Sequence, residues 1–428
     1  MSAHRFAALV FLAAVASAPI ARAQAPAAPA AAPAQPARPP QYVSPEVLPD
    51  GRVTFRLHAP NVQAVRVSAG DIVGLTPTAA AMTKGEDGIW AVTVPTPEPG
   101  AYRYNFNVDG VSTIDPRNPA TSESFQNTWS VVSVPGTMAW DVTDIPHGAL
   151  AKVTYKSASL GQFRRMHVYT PPGYENGTAS YPVFYLLHGA GDSDDAWTSV
   201  GRANVILDSL IAAKKAVPMI VVMPAGHIRG GPPGMGATQD VVNDIMKDIK
   251  PYIESHYRVK KGRAATAMAG LSMGGHQTLF AAIPNLEQFA YIGVYSSGLI
   301  GGFPDLMPRQ PGATAPPPRM GPTAEEWSAT NAAKLGDASL KKDLRLFWFA
   351  TGKDDFLLGT TKATVAMFEK HGFTVTYRET DGGHTWIKWR HYLTEFAPLL
   401  FQPNRQANAG TGSGGVGHAA LPAVAEPR

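Results

Sequence analysis

The chain of 428 residues contains no cysteine. That absence excludes disulfides, thiolate zinc sites and a cysteine nucleophile. Charge is sparse too: 16% of residues are Asp, Glu, Lys or Arg, and the formal net charge is only +4. So slight a bias gives no ground for expecting nucleic acid or an anionic membrane as a partner. His188, His227, His276 and His384 lack H-x-x-x-H or carboxylate spacing, so no metal and no cofactor are expected. The one long apolar run, Phe6 to Ile20, is short for a membrane span, which takes about 20 apolar residues, and no second candidate follows.

That run instead has the form of a secretory signal over residues 1–23. Arg5 stands before it, and Ala21-Arg22-Ala23 supplies an A-x-A cleavage site after it. Export is therefore expected, with a secreted or periplasmic mature protein and loss of the charges of Arg5 and Arg22. Without disulfides, such a protein relies on its core, which a chain of this length can supply. Residues 24–41 are mostly Ala and Pro and read as an extended linker.

Residues 42–140 are strand-rich. Val53 to Leu57, Val65 to Ser68, Trp90 to Val94 and Tyr102 to Phe106 alternate apolar and polar positions. Pro49-Asp50-Gly51, Asp87-Gly88, Pro99-Gly100 and Asp109-Gly110 separate them as turns. Short alternating strands with regular turns imply a β-sandwich. The runs Gly88 to Pro95, Pro99 to Gly110 and Asp115 to Pro119 resemble the early-set immunoglobulin-like domain at the front of glycogen-branching and related enzymes. Some members of that group bind glucans, which makes the aromatics a candidate sugar platform; their strict alternation favours a place in the core.

Residues 141–403 follow another rule. Val153 to Ser157 and Met166 to Thr170 read as antiparallel strands. Pro182 to Leu187, Met219 to Met223, Ala264 to Ala269, Tyr291 to Tyr295 and Leu346 to Ala350 are apolar runs suited to strands buried on both faces. Phe373 to Arg378 reads as a last, more polar strand. Helix-length stretches lie between them: Ala203 to Lys214, Asp240 to Tyr257, Gly274 to Ile283, Lys362 to His371 and Trp386 to Leu400. The alternation implies an α/β fold with a mainly parallel sheet covered on both faces. Sites in such sheets lie at the carboxyl ends of the strands.

Gly270-Leu271-Ser272-Met273-Gly274 stands at one of those ends. A strand turning sharply into a helix exposes the serine Oγ of G-x-S-x-G above the sheet, as a nucleophile requires. The N–H of Met273, at the helix start, is one expected donor to an oxyanion. The other is expected from Leu187-His188-Gly189-Ala190-Gly191-Asp192, at Ala190. His188 sits on the strand end itself and is expected to hold the loop. Thr351-Gly352-Lys353-Asp354-Asp355 ends a third strand, and either aspartate there is placed to orient a histidine. Asp381-Gly382-Gly383-His384 follows the last strand, and its glycines let His384 reach over the sheet as the base. The order Ser, Asp, His is that of the α/β-hydrolases.

These segments, with Met219 to Pro224, Pro251 to Val259 and Gly382 to Arg390, resemble the α/β-hydrolase esterases of carbohydrate esterase family 1. That family holds feruloyl and acetyl-xylan esterases and is similar to S-formylglutathione hydrolases (esterase D) and mycolyltransferases. The resemblance implies a Ser272-His384-Asp355 triad, with Asp354 the fallback, acting on carboxylic esters linked to carbohydrate. Siderophore (enterochelin) esterases have a comparable two-module layout and imply a small-ester substrate instead. A catalytically inactive carbohydrate-binding protein is a third reading, disfavoured by the intact set of motifs.

Gly189, Trp197 and Trp386 are the candidate pocket residues, the tryptophans either stacking on an aromatic acyl group or sugar, or packing. Ala225 to Thr238, with Arg229, and Gly298 to Trp327, with Phe303, Met307, Arg309 and Met320, are candidate pocket walls. The second is either a lid or a surface insertion. Residues 404–428 have no periodicity and read as a disordered tail.

Overall fold

The alternating strands of the first module pair as two antiparallel sheets. Val53–His58 lies beside Ile89–Val94 in one; Val65–Ser68, Gly100–Val108, Thr128–Val134 and Thr121–Glu123 follow one another in the other. The computed structural model describes residues 40–403, apart from 73, 77–79, 96, 229–236 and 301–321. The expected signal segment, nearly all of the linker, the tail, Arg229, Phe303, Met307, Arg309 and Met320 lie outside the described residues.

Tyr102, Tyr104 and Phe106 are 0% exposed, and the Phe55 and Tyr104 rings meet between the sheets at 4.6 Å. The alternation therefore builds a core and not a sugar platform. Burying a Phe side chain stabilises such a sandwich by about 1.5–3 kcal/mol.

In the second module we number the strands β1 (Ala149–Ser157), β2 (Gln162–Thr170), β3 (Val183–Leu187), β4 (Ile220–Pro224), β5 (Thr266–Leu271), β6 (Tyr291–Tyr295), β7 (Leu346–Gly352) and β8 (Thr376–Thr380). They form one sheet in the order β1-β2-β4-β3-β5-β6-β7-β8, and β3 to β8 are parallel. The sheet is thus mainly parallel, with an antiparallel pair at one edge, as the alternation of strands and helices implies. Val, Ile, Leu and aromatic side chains fill both faces, so two apolar cores flank the sheet.

Several elements begin up to four residues before their expected start, as at Ala149, Gln162 and Leu358, and two depart for reasons the structure shows. The helix expected from Asp240 to Tyr257 is broken: Thr238–Asp244 passes through a π-helical turn, Ile245–Ile249, into Lys250–His256. Pro251, at the start of the last segment, has no N–H to donate to a preceding turn and crowds the carbonyl behind it. The last strand begins at Thr376, whereas Phe373 is buried against Phe347 and Phe368. The N–H groups of Gly372 and Phe373 still close the end of the preceding helix, on Glu369 O at 2.8 Å and Phe368 O at 3.0 Å, so the chain extends only beyond them.

Register brings the site together. Leu187 pairs with Gly270, Leu271 with Tyr295, Tyr295 with Ala350, and Gly352 with Thr380. The four strand ends that bear the motifs therefore stop in line, and their loops open on the same edge. Helix α1 (Met273–Ala282) follows β5, α2 (Leu358–Lys370) follows the loop after β7, and α3 (Trp386–Phe396) follows the loop after β8.

The two modules share packing through α3. Ile387 belongs to the sandwich core. The buried Arg390 guanidinium donates from Nη1 to Ala101 O at 3.1 Å and to Val200 O at 2.9 Å. Burial lowers its pKa to about 10.

Candidate active site

Ser272 is the residue immediately before α1, and its φ of 50° and ψ of −120° lie where side chains are disfavoured. Its N–H donates to Tyr295 O at 2.9 Å, and its carbonyl accepts from Ser297 Oγ at 2.5 Å. These bonds hold the strained turn from both sides. Glycine is required around it because the backbone doubles back on itself. A Cβ on Gly270 would lie 2.3 Å from the Gly274 carbonyl, and one on Gly274 would lie 2.4 Å from His188 O. Ser272 is half-buried, and Met273 N is the first N–H of a helix, with no acceptor in the preceding turn.

Gly189 faces this serine: a Cβ there would lie 3.4 Å from Ser272 Cβ. Ala190, next in the loop, is exposed, and among the described residues no acceptor takes its N–H. The imidazole of His188 is buried beneath. Its Nδ1 donates to Gly189 O at 2.8 Å while Nε2 accepts from Gly226 N at 2.8 Å. Burial pushes the His188 pKa down to about 4, so the ring is neutral and acts as a brace for the loop.

His384 and Asp355 meet across the strand ends. His384 Nδ1 lies 3.1 and 3.0 Å from the two Asp355 carboxylate oxygens. The tautomer with the proton on Nδ1 donates to the carboxylate and leaves Nε2 as an acceptor. Asp354 is exposed, and its N–H donates to Gly382 O at 3.0 Å, tying the acid loop to the loop of His384. That contact needs Gly352, where a Cβ would lie 1.9 Å from Gly382 O. Burial opposes ionisation of Asp355, but hydrogen bonds from His384, the Leu357 N–H and Ser296 outweigh it and hold its pKa below the ordinary value.

Three residues here escaped sequence reasoning. Ser296, buried and at φ 48°, donates to Asp355 and accepts from Trp389 Nε1 at 3.1 Å. Phe356, 57% exposed, lies against the His384 ring at 4.4 Å. Its position directly after the two aspartates was the available signal. Phe125, from the first module, stacks on His227 at 4.4 Å. Nothing in its local sequence marks it.

Trp197 and Trp386 correct an expectation. Each is only 1% exposed, and they pack edge-on at 5.2 Å, so neither walls a pocket. Trp197 Nε1 donates to Leu187 O at 3.0 Å, which supports the end of β3 from below. A pocket of about 290 Å³ lies beside the Gly189 loop, lined among others by Phe125, Phe163, Asp192 and His227. A second cavity, of about 860 Å³, lies at the opposite end of the strands and contains none of the motif residues.

Asp194, after the loop, carries a pH test. Its Oδ2 lies 2.7 Å from Arg165 Nε and 2.8 Å from His167 Nδ1. Burial raises its pKa, but these partners prevail and bring it from 3.8 down to about 2. A folded pKa below the unfolded one means that the folded state binds fewer protons. The resulting stability, about 2 kcal/mol, is present above pH ~4 and lost as pH falls toward ~2. We expect Asp194→Asn to be less stable than the wild type by that amount at pH 5 in urea unfolding, with the gap closing toward pH 2. A gap independent of pH contradicts this.

Residues 157–400 match the family model of putative esterases, and residues 43–121 match that of carbohydrate-binding module 48, the isoamylase N-terminal domain. The chain is 33% identical over 270 residues to an endo-1,4-beta-xylanase/feruloyl esterase of Xylanibacter ruminicola, a match that takes in 59% of this chain and 36% of the relative. The matched region thus spans about a third of that relative's length. A solved ferulic acid esterase is similar at 26% identity and a TM-score of 0.51, covering 60% of this chain and 99% of its own. The enterobactin esterase of Shigella flexneri shares the fold across both modules, with a TM-score of 0.58 at 17% identity, covering 82% of this chain and 93% of its own. Among the described residues no helix is long and apolar enough to cross a membrane.

Proposed function

Because the chain belongs to the putative-esterase family, we propose that it is an exported serine esterase that removes feruloyl or acetyl groups from plant polysaccharide or related sugars. The observation that carries the mechanism is the pairing of His384 Nδ1 with the buried Asp355 carboxylate at 3.0 Å, at the same sheet edge as the strained Ser272.

Ser272 Oγ attacks the ester carbonyl carbon while its proton passes to His384 Nε2. Asp355 holds the imidazole in the required tautomer and stabilises the imidazolium that forms. The carbonyl oxygen becomes an oxyanion, for which the Met273 and Ala190 N–H groups are the donors. As the tetrahedral species collapses, the ester C–O bond breaks and the departing alcohol takes the proton from His384. Water, deprotonated by His384, then attacks the acyl-enzyme; the bond from the acyl carbon to Ser272 Oγ breaks, Oγ takes the proton back from His384, and the acid is released. The steps use these side chains, the two main-chain N–H groups and water.

The substrate class rests on the likeness to the xylanase/feruloyl esterase at 33% identity. A second reading, a siderophore or other small-ester esterase, is favoured by the two-module fold shared with the enterobactin esterase. Initial rates on p-nitrophenyl acetate, methyl ferulate, acetylated xylan and a catecholate siderophore separate them. We expect the clearest turnover on methyl ferulate or acetylated xylan. Turnover of the siderophore alone favours the second reading, and turnover of p-nitrophenyl acetate alone removes the polysaccharide assignment.

A further inference from the structure

The loop expected to supply the Ala190 N–H is held from two sides by the first module. On the main chain, Phe125 N donates to Gly191 O at 2.9 Å, and Ser124 bridges Asp192. On the side chains, Arg103 Nη1 reaches Asp192 Oδ1 at 2.6 Å. The other Asp192 oxygen lies 3.5 Å from where a Cβ on Gly189 would sit, directly under the turn that presents Ala190.

Arg103 is itself fixed. It lies on the strand Gly100–Val108, in the interior of the sandwich sheet, and its Nε donates to Asp71 Oδ2 at 2.9 Å. Its guanidinium also lies 5.8 Å from the ring of Trp386, which opens α3 just after His384. Asp192 is buried, and burial lifts its pKa against the opposing pull of Arg103. Without that cation the carboxylate is an uncompensated buried charge, and a loop can relieve it only by protonation or by moving toward water.

We propose that Arg103 is a positioning residue for catalysis, through which the first module fixes the oxyanion loop by its ion pair with Asp192. The first module then forms part of the catalytic scaffold, whatever glycan it does or does not bind. This inference rests on the esterase reading above, in which Ala190 is an oxyanion donor.

The test uses the full chain, p-nitrophenyl acetate as substrate and phenylboronic acid as a tetrahedral analogue. A boronate bonded to Ser272 places an oxygen where the oxyanion forms, so its affinity reports on the loop's geometry. In Arg103→Met we expect kcat/KM to fall by about 10- to 100-fold, less than or comparable to the loss of one oxyanion donor. KM should stay within about threefold, and the boronate inhibition constant should rise by a factor similar to the rate loss. Arg103→Lys keeps the charge and should recover part of both. Asp71→Ala frees one end of the anchor and should shift both by a few-fold, which keeps the proposal testable if Arg103→Met does not fold.

Wild-type kcat/KM in a folded Arg103→Met or Asp71→Ala overturns the proposal. So does a rate loss with unchanged boronate affinity, or a Lys variant that recovers neither quantity. If phenylboronic acid fails to inhibit the wild type, or inhibits Ser272→Ala equally, the serine-esterase reading itself fails. That outcome is distinct from normal inhibition that is indifferent to Arg103.

Discussion

Ser272→Ala is expected to lower kcat on p-nitrophenyl acetate by about 10⁴-fold or more, with little change in KM. The fold should be unaffected, because Ser272 is held through its main chain: its N–H to Tyr295, its carbonyl to Ser297 and the first turn of α1. Alanine keeps all of these bonds and the same unfavourable backbone conformation. A melting temperature close to that of the wild type therefore accompanies the loss of turnover. The residual rate reports what oxyanion donors achieve with water as nucleophile. Retention of more than about a tenth of the activity would remove Ser272 as nucleophile.

Asp355→Asn is the second large effect, about 10⁴-fold in kcat, by analogy with the same change in a serine-protease triad. The carboxylate accepts from the Leu357 N–H at 2.8 Å, from Ser296 and from His384 Nδ1. In asparagine one oxygen remains, and the fixed Leu357 N–H claims it. The amide NH₂ then faces His384, whose Nδ1 must become the acceptor, so the proton moves to Nε2, where Ser272 needs a base. Asp354→Asn provides the contrast. Its side chain is exposed and its main-chain bond to Gly382 survives, so kcat should stay within about threefold of the wild type. Equal losses in the two variants, or a greater loss at Asp354, contradict the assignment of the acid.

The motif residues were legible because each is announced locally. A serine between glycines at a strand end, two aspartates after an apolar strand and a histidine after paired glycines carry their conformational reasons with them. The mainly parallel sheet followed from strands and helices in alternation, whereas the order of its strands did not. What could not be read were contacts between residues far apart in the chain. Arg103 and Asp192 stand 89 positions apart, and Trp389 and Ser296 stand 93 apart. Neither partner of such a pair looks unusual in its own neighbourhood. Trp197 and Trp386 show the reverse. A tryptophan beside a site motif suits a ligand and a core equally well, and only the packing of α3 between sheet and sandwich buries both. Choosing Asp355 over Asp354 needed a resemblance at the sequence level, whereas in space one carboxylate is buried on His384 and the other is exposed.

The most direct test of Ser272 as nucleophile is the intact mass of the full chain after exposure to a fluorophosphonate ester, followed by peptide mapping. The expected result is one phosphonyl adduct per chain, on the peptide carrying Ser272, absent from Ser272→Ala and formed far more slowly in His384→Ala. An adduct on another serine, or continued ester hydrolysis after Ser272 is fully labelled, would contradict it.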